Sequence, residues 1–223
     1  MTETATQVLQ LNSSILGDNS VSNQLVATLT ERLQAAGEKL EIQQRDFSVE
    51  PVPHFDEHWL QALMTPEADR SDSQQQKVDF SDTLIAELKA ADVLIIGLPM
   101  YNFSVPSMLK AWNDHVARAG ATFKYTDTGP VGLLEDKKVF LVAAMGGVHK
   151  VGESDYLRPY MQQFLGLLGL TDISFVTASG LNMGEEPRAE GIARAEAEID
   201  AALQAYRQKY SKQSQDYKEE QAA

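Results

Sequence analysis

Three short segments of this chain carry side chains suited to holding a ligand. The first, NSSILGDNSVSN at residues 12–23, crowds four serines into a loop without a lysine or arginine. The apolar run VLQL precedes it and a helical pattern follows. A helix beginning near Ser20 or Ser22 points unpaired backbone N–H groups, and the positive end of its dipole, into such a loop. Hydroxyls of Ser14, Ser20 and Ser22 add hydrogen bonds to the same anion, so one phosphate monoester can be held by neutral donors alone. The plainer alternative is that Ser20 or Ser22 is an N-cap and nothing more. Neither GxxxxGK[ST] nor GxGxxG occurs, which disfavours a triphosphate loop or a dinucleotide turn.

The second segment, PMYNFSVPSMLKAWNDHVARAG at residues 99–120, places Met100, Tyr101, Asn102 and Phe103 between a strand-ending Pro99 and a helix. Pro106 suits the first helical turn, with Ser104 as its expected cap. Two aromatics, an amide and a thioether suit a flat heteroaromatic ring, whose faces need packing and whose edges need hydrogen bonds. The alternative is a hydrophobic turn packing on its own helix. The third segment, MGGVHK at residues 145–150, offers Gly146 and Gly147 for close backbone approach, followed by His149. A phosphate, a planar ring and a backbone-lined ring edge are the parts of flavin mononucleotide (FMN), provided that the fold brings the three loops together.

The elements on either side predict that it does. Strand patterns at residues 7–12, 40–46, 93–98, 138–144 and 173–178 alternate with helical patterns at 22–36, 72–91, 107–118, 155–168 and 188–206. Three of the strands are near-continuous apolar runs, as strands buried on both faces are. Such alternation gives an α/β doubly wound five-stranded parallel sheet, order 2-1-3-4-5, with helices on both faces. Ligands then sit beyond the carboxyl ends of the strands, where the loops after strands 1, 3 and 4 meet. Residues 1–210 form the single domain, and the polar run 211–223 is expected to be a disordered tail. An extra short helix carrying Phe55 and Trp59 is expected across the surface between residues 50 and 79, over the site or a partner.

Composition narrows the function. The net charge of -13 repels nucleic acid and anionic membrane surfaces. No apolar run approaches the roughly 18 residues of a membrane span, and MTETATQ lacks the pattern of a signal peptide, so a cytoplasmic location is expected. With no cysteine there is neither a thiolate nucleophile nor a thiolate metal site. His54 and His58 alone have i, i+4 spacing, which a loop-to-helix junction explains, and no metal is assigned.

The pattern SSIL…SxSNQL, then PMYNF…P…LK…ARAGxTFxYTxxGPxGL, then GGxHKxG…FLGxxGxTD resembles the FMN-dependent NADH:quinone reductases, also known as azoreductases, from about Val8 to about Arg207. The resemblance implies a flavodoxin-like fold and a homodimer whose FMN sites draw on both subunits. It maps phosphate contacts to Ser14, Ser20, Val21 and Ser22, and ring contacts to Met100, Tyr101, Asn102 and Phe103. The loop after the fourth strand maps to Ala144, Met145, Gly146 and Gly147, while His149 and Tyr125 frame the substrate side. Ala144 and Met145 stand where the best-known members have serine and arginine, and Leu167 stands where an aromatic pocket residue is common.

The implied activity is two-electron reduction of quinones by NADH and reductive cleavage of aromatic azo compounds to amines, in a ping-pong cycle. Two rival readings share parts of this pattern. A flavodoxin-type carrier would pass single electrons to proteins, and a flavin-free regulatory module would leave the serine loop as a cap. The signalling version of the latter needs acidic strand ends, whereas the first strand ends in Asn12 and the third in Pro99.

Overall fold

The computed structural model describes residues 5–35 and 37–220. Seven strands and six helices follow one another as β1 (Thr6–Asn12), α1 (Val21–Ala35), β2 (Leu40–Asp46), α2 (Glu57–Met64), α3 (Asp72–Ala90), β3 (Val93–Pro99), α4 (Ser107–Val116), β4 (Phe123–Thr126), β5 (Gly129–Gly132), β6 (Lys138–Ala144), α5 (Leu157–Leu168), β7 (Ile173–Ala178) and α6 (Glu185–Glu220). Five strands form one parallel sheet in the order β2-β1-β3-β6-β7. This is the expected 2-1-3-4-5 topology, with β6 and β7 as the fourth and fifth strands.

The burial of the strands explains their sequences. Every residue of β3 and β6 is buried, so VLIIGLP and KVFLVAA have no polar face to show. Alternate residues feed two cores. Leu94, Ile96, Leu98 and Leu141 pack with Leu84, Leu109 and Leu165 of α3, α4 and α5. Val93, Ile95, Phe140 and Val142 pack with Leu29 of α1 and Ile199 of α6 on the opposite face. β2 lies at the edge, mostly exposed, and its LEIQQRD is correspondingly polar.

At the amino-terminal end of the sheet, Lys137 closes a helix instead of binding a ligand. Its ammonium donates to the carbonyls of Leu88 (2.8 Å), Lys89 (3.3 Å) and Ala91, satisfying the carbonyl end of α3. A cavity of about 580 Å³ opens beside it, but that lysine's donors are already engaged.

Several expectations are revised. The β4–β5 hairpin interrupts what the sequence presents as one long connection; its strands of four residues are too short to show a period. The hairpin is rooted by backbone contact: a Cβ on Gly132 would lie 2.2 Å from the Gly169 amide nitrogen. Ser104 does not cap α4, whose N-cap is Pro106 without a side-chain bond. It closes a turn with Tyr101 instead. The short helix α2 forms where expected, but Trp59 and the upstream Phe55 pack edge-on against buried His115, at 4.4 and 5.4 Å, instead of over the site. His115 Nε2 lies 2.9 Å from the Pro53 carbonyl and burial lowers its pKa, so the neutral ring fastens this segment to α4. α6 runs from Glu185, three residues before the expected Arg188, to Glu220, beyond the expected Tyr206. Residues 221–223 lie outside the described residues. Among the described residues no helix is long and apolar enough to cross a membrane.

Candidate active site

The serine loop ends β1 and opens α1. Ser20 precedes the helix; its hydroxyl lies 3.5 Å from the Asn23 amide and 2.9 Å from the Ser22 hydroxyl. Ser20 is therefore a helix cap and a loop donor at once. Ser13, Ser14, Ser20 and Ser22 are all buried, and Ser13 donates to the Gly97 carbonyl of β3 at 2.5 Å. Asn23 reaches back to the carbonyl of Gly17, a glycine at φ 52, which holds the loop closed. The same Asn23 crowds Gly97, where an added Cβ would lie 3.2 Å from its Oδ1.

After β3 the backbone turns sharply. Tyr101 and Ser104 exchange two backbone hydrogen bonds of 3.0 Å, and the two residues between them, Asn102 and Phe103, have φ of 50 and 66. Positive φ at both central positions is the signature of a type I′ turn. Asparagine tolerates that conformation, whereas phenylalanine there stores roughly 1 kcal/mol or more of strain. The strain presents the Phe103 ring to solvent, edge-on to His149 at 5.7 Å. The Tyr101 hydroxyl lies 3.0 Å from that of Ser14 and accepts from the Ile15 amide at 3.3 Å, tying this turn to the serine loop.

After β6, Gly146 and Gly147 are tight because of their neighbours. A Cβ on Gly146 would stand 2.6 Å from Asn182 Nδ2, and one on Gly147 would stand 3.2 Å from His149 Nε2. His149 Nδ1 lies 3.2 Å from the Ser154 hydroxyl.

These loops surround a cavity of about 250 Å³ at the carboxyl end of β1, β3 and β6. Of the residues expected at the site, Ser14, Ser20, Val21, Met100, Tyr101, Ala144 and Gly146 line it. Ser22 stands one step behind, bonded to Ser20. Asn102 lines an adjoining cavity of about 770 Å³ that shares Met100 and Tyr101 and extends to Lys110 and Tyr160. Met145 turns into the α3–α5 core and, with His149, lines a third cavity of about 280 Å³ containing Asp155, Arg158 and Arg194. Tyr125 lines none of these cavities; it stands on the β4–β5 hairpin, 76% exposed, against Phe123. The sequence reading did not assign Leu16, Asn19, Pro99, Leu181, Asn182 and Arg188, which complete the wall. Three of the six follow β7, the one carboxyl-terminal strand end beside the site whose loop was not considered.

A parallel sheet whose switch point gathers buried hydroxyls, a helix amino terminus and an aromatic turn defines a flavodoxin-like mononucleotide-binding protein. The family model described as "Flavodoxin-like fold" matches residues 6–203. An FMN-dependent NADH:quinone oxidoreductase of Cellvibrio japonicus is 49% identical over 195 residues, covering 87% of this chain and 98% of the relative. One of the same name from Alcanivorax borkumensis is 45% identical over the same shares. Among solved structures, an FMN-dependent NADH-azoreductase from Bacillus anthracis str. Ames Ancestor, in complex with FMN, superposes with a TM-score of 0.80 at 26% identity, covering 90% of this chain and 99% of that one. The chain belongs to the family of FMN-dependent NADH:quinone oxidoreductases.

The donor set fits the cofactor of that family. The cavity offers Ser14 and Ser20 hydroxyls and the free amides of the first turn of α1 to a phosphate, and Met100, Tyr101 and the Ala144–Gly146 backbone to a ring.

Proposed function

We propose that this protein reduces quinones by two electrons with NADH and cleaves aromatic azo bonds, holding one FMN per subunit. The convergence of the serine loop, Met100 and Tyr101 after β3, and Ala144 and Gly146 after β6 on one cavity carries the proposal. Ser14, Ser20, the Val21 amide and, through Ser20, Ser22 hold the phosphate. Met100, Tyr101, Asn102 and Phe103 hold the ring from one side, with Ala144, Gly146 and Gly147 along its edge; Met145 supports that loop from the core. When bound, FMN supplies the redox chemistry, accepting hydride from NADH and returning two electrons to the acceptor.

The side chains have placement, water exclusion and charge stabilisation as their tasks. Backbone N–H groups of the 146–147 loop oppose negative charge developing at the ring edge. The exposed Phe103 ring offers a stacking surface to a flat acceptor, and His149 beside it orients the acceptor or donates a proton from its Nε2. Donor and acceptor are both flat, and if both stack beside the exposed Phe103 they would bind in turn. This gives the ping-pong order, with two turns for each azo bond. Ile15, Phe103, Val148 and Val151, on the loops after β1, β3 and β6, are exposed apolar side chains suited to a second copy of the chain, whose Tyr125 would stand over this site.

An absorbance titration tests the reading. Protein incubated with FMN and freed of excess should keep a flavin spectrum, bleach with one equivalent of anaerobic NADH, and recover with one equivalent of benzoquinone. Flavin that ignores NADH would favour the electron carrier, and no retained flavin would overturn the cofactor assignment.

A further inference from the structure

We propose that Arg188 is the cation of the phosphate end of this site, a binding residue that the serine loop itself lacks. The assignment rests on the FMN reading above. Among the residues lining the cavity, Arg188 is the single charged side chain; Ser14, Ser20 and Val21 face the same space.

Its electrostatic state supports the role. Arg32, Arg45, Arg118 and Arg158 each pair with a carboxylate, whereas Arg70, Arg194 and Arg207 bond to neutral oxygens away from this cavity. Among the described residues no carboxylate lies within 4.0 Å of Arg188, whose exposed side chain makes a single protein contact, a long 3.4 Å one to the Leu181 carbonyl. Glu185 and Glu186 precede it in the first turn of α6 without engaging it. An arginine beside a polar cavity with its five donors almost unused is matched to an oxyanion.

The fold explains how it arrives there. α1 and α6 cover the same face of the sheet, joined by Arg32 to Glu196 and Asp200. Both helices start at the carboxyl end of their strands, so their amino termini flank one space, and Arg188 reaches it from the α6 side. In a chain of net charge -13 the long-range field opposes a phosphate dianion. One local guanidinium offsets that field at the site without making the surface attractive to polyanions.

Equilibrium binding separates this role from a general one. FMN and riboflavin, which lacks the phosphate, would be titrated into the full-length wild type, Arg188→Ala and Arg188→Lys, following quenching of flavin fluorescence at low and high salt. The assignment predicts about tenfold weaker FMN binding by Arg188→Ala, riboflavin affinity within twofold, partial retention by Arg188→Lys, and a flatter salt dependence for the alanine variant. Unchanged FMN affinity, or equal weakening of FMN and riboflavin, would overturn it while leaving the proposed activity standing. A wild type that binds neither flavin would overturn the activity and this assignment together.

Discussion

Replacing Asp172 with asparagine tests how the amino-terminal edge of the sheet is fastened to α6. Asp172, with a side chain 18% exposed, accepts from Lys138 Nζ and Lys209 Nζ, both at 2.7 Å, and from the Tyr210 hydroxyl at 3.0 Å. Burial opposes its ionisation, but the three donors outweigh burial and bring the carboxyl from its ordinary 3.8 down to about 2. A lowered carboxyl stabilises the fold where it is ionised. Between the two values the unfolded chain binds more protons, so stability rises with pH; the contribution is fully present above about pH 4 and is lost as pH falls through 3.8 towards 2. At about 1.4 kcal/mol per unit, the shift is worth about 2 kcal/mol at neutral pH, of which roughly 1 kcal/mol remains at pH 3. Urea unfolding followed by tryptophan fluorescence should therefore show Asp172→Asn less stable by about 2 kcal/mol at pH 6 and by about half that at pH 3. An offset that stays constant across this range would refute the charge-based account and leave only packing.

Two further substitutions probe the site itself. Ser20→Ala combined with Ser22→Ala should weaken FMN retention by roughly 1–3 kcal/mol, measured by equilibrium dialysis, because each hydroxyl lost is a donor to a charged group; unchanged affinity would remove the serine loop from the phosphate site. Phe103→Gly should leave the thermal midpoint unchanged or raise it, since relief of positive-φ strain offsets the entropy of glycine, roughly 1 kcal/mol each. The KM for a flat quinone should rise severalfold in the same variant, and a falling midpoint would show that the turn is not strained.

What was legible in the sequence follows from where physics writes a long signal. β3 and β6 are buried on both faces, so VLIIGL and KVFLVAA announce themselves without any knowledge of neighbours. Three of the five sheet strands, β2, β6 and β7, lie within the bounds expected from the sequence, and β1 and β3 each differ by one residue. The serine loop was legible because a capped helix after an apolar strand has one geometry. Arg188 was not legible there, because it stands far along the chain and reaches the cavity through the packing of α6 beside α1. Nor was the direction of Met145, which the alternation of β6 carries into the core once the strand's register is known. The β4–β5 hairpin escaped for want of length, although the sequence TDTGP at residues 126–130, which spans its turn, holds the signal that marks it.

That hairpin has a bearing on how the protein diversifies. Its root is a backbone-to-backbone contact between Gly132 and Gly169, reinforced by the Leu134 amide on the Leu168 carbonyl at 3.1 Å. Beyond this junction residues 123–132 share no ladder with the parallel sheet. Mutation can lengthen, shorten or recolour the segment without disturbing the register of any sheet strand. The hairpin is thus an exchangeable cartridge on a fixed chassis: its length and surface can change while the loops at the carboxyl end of the sheet keep their geometry.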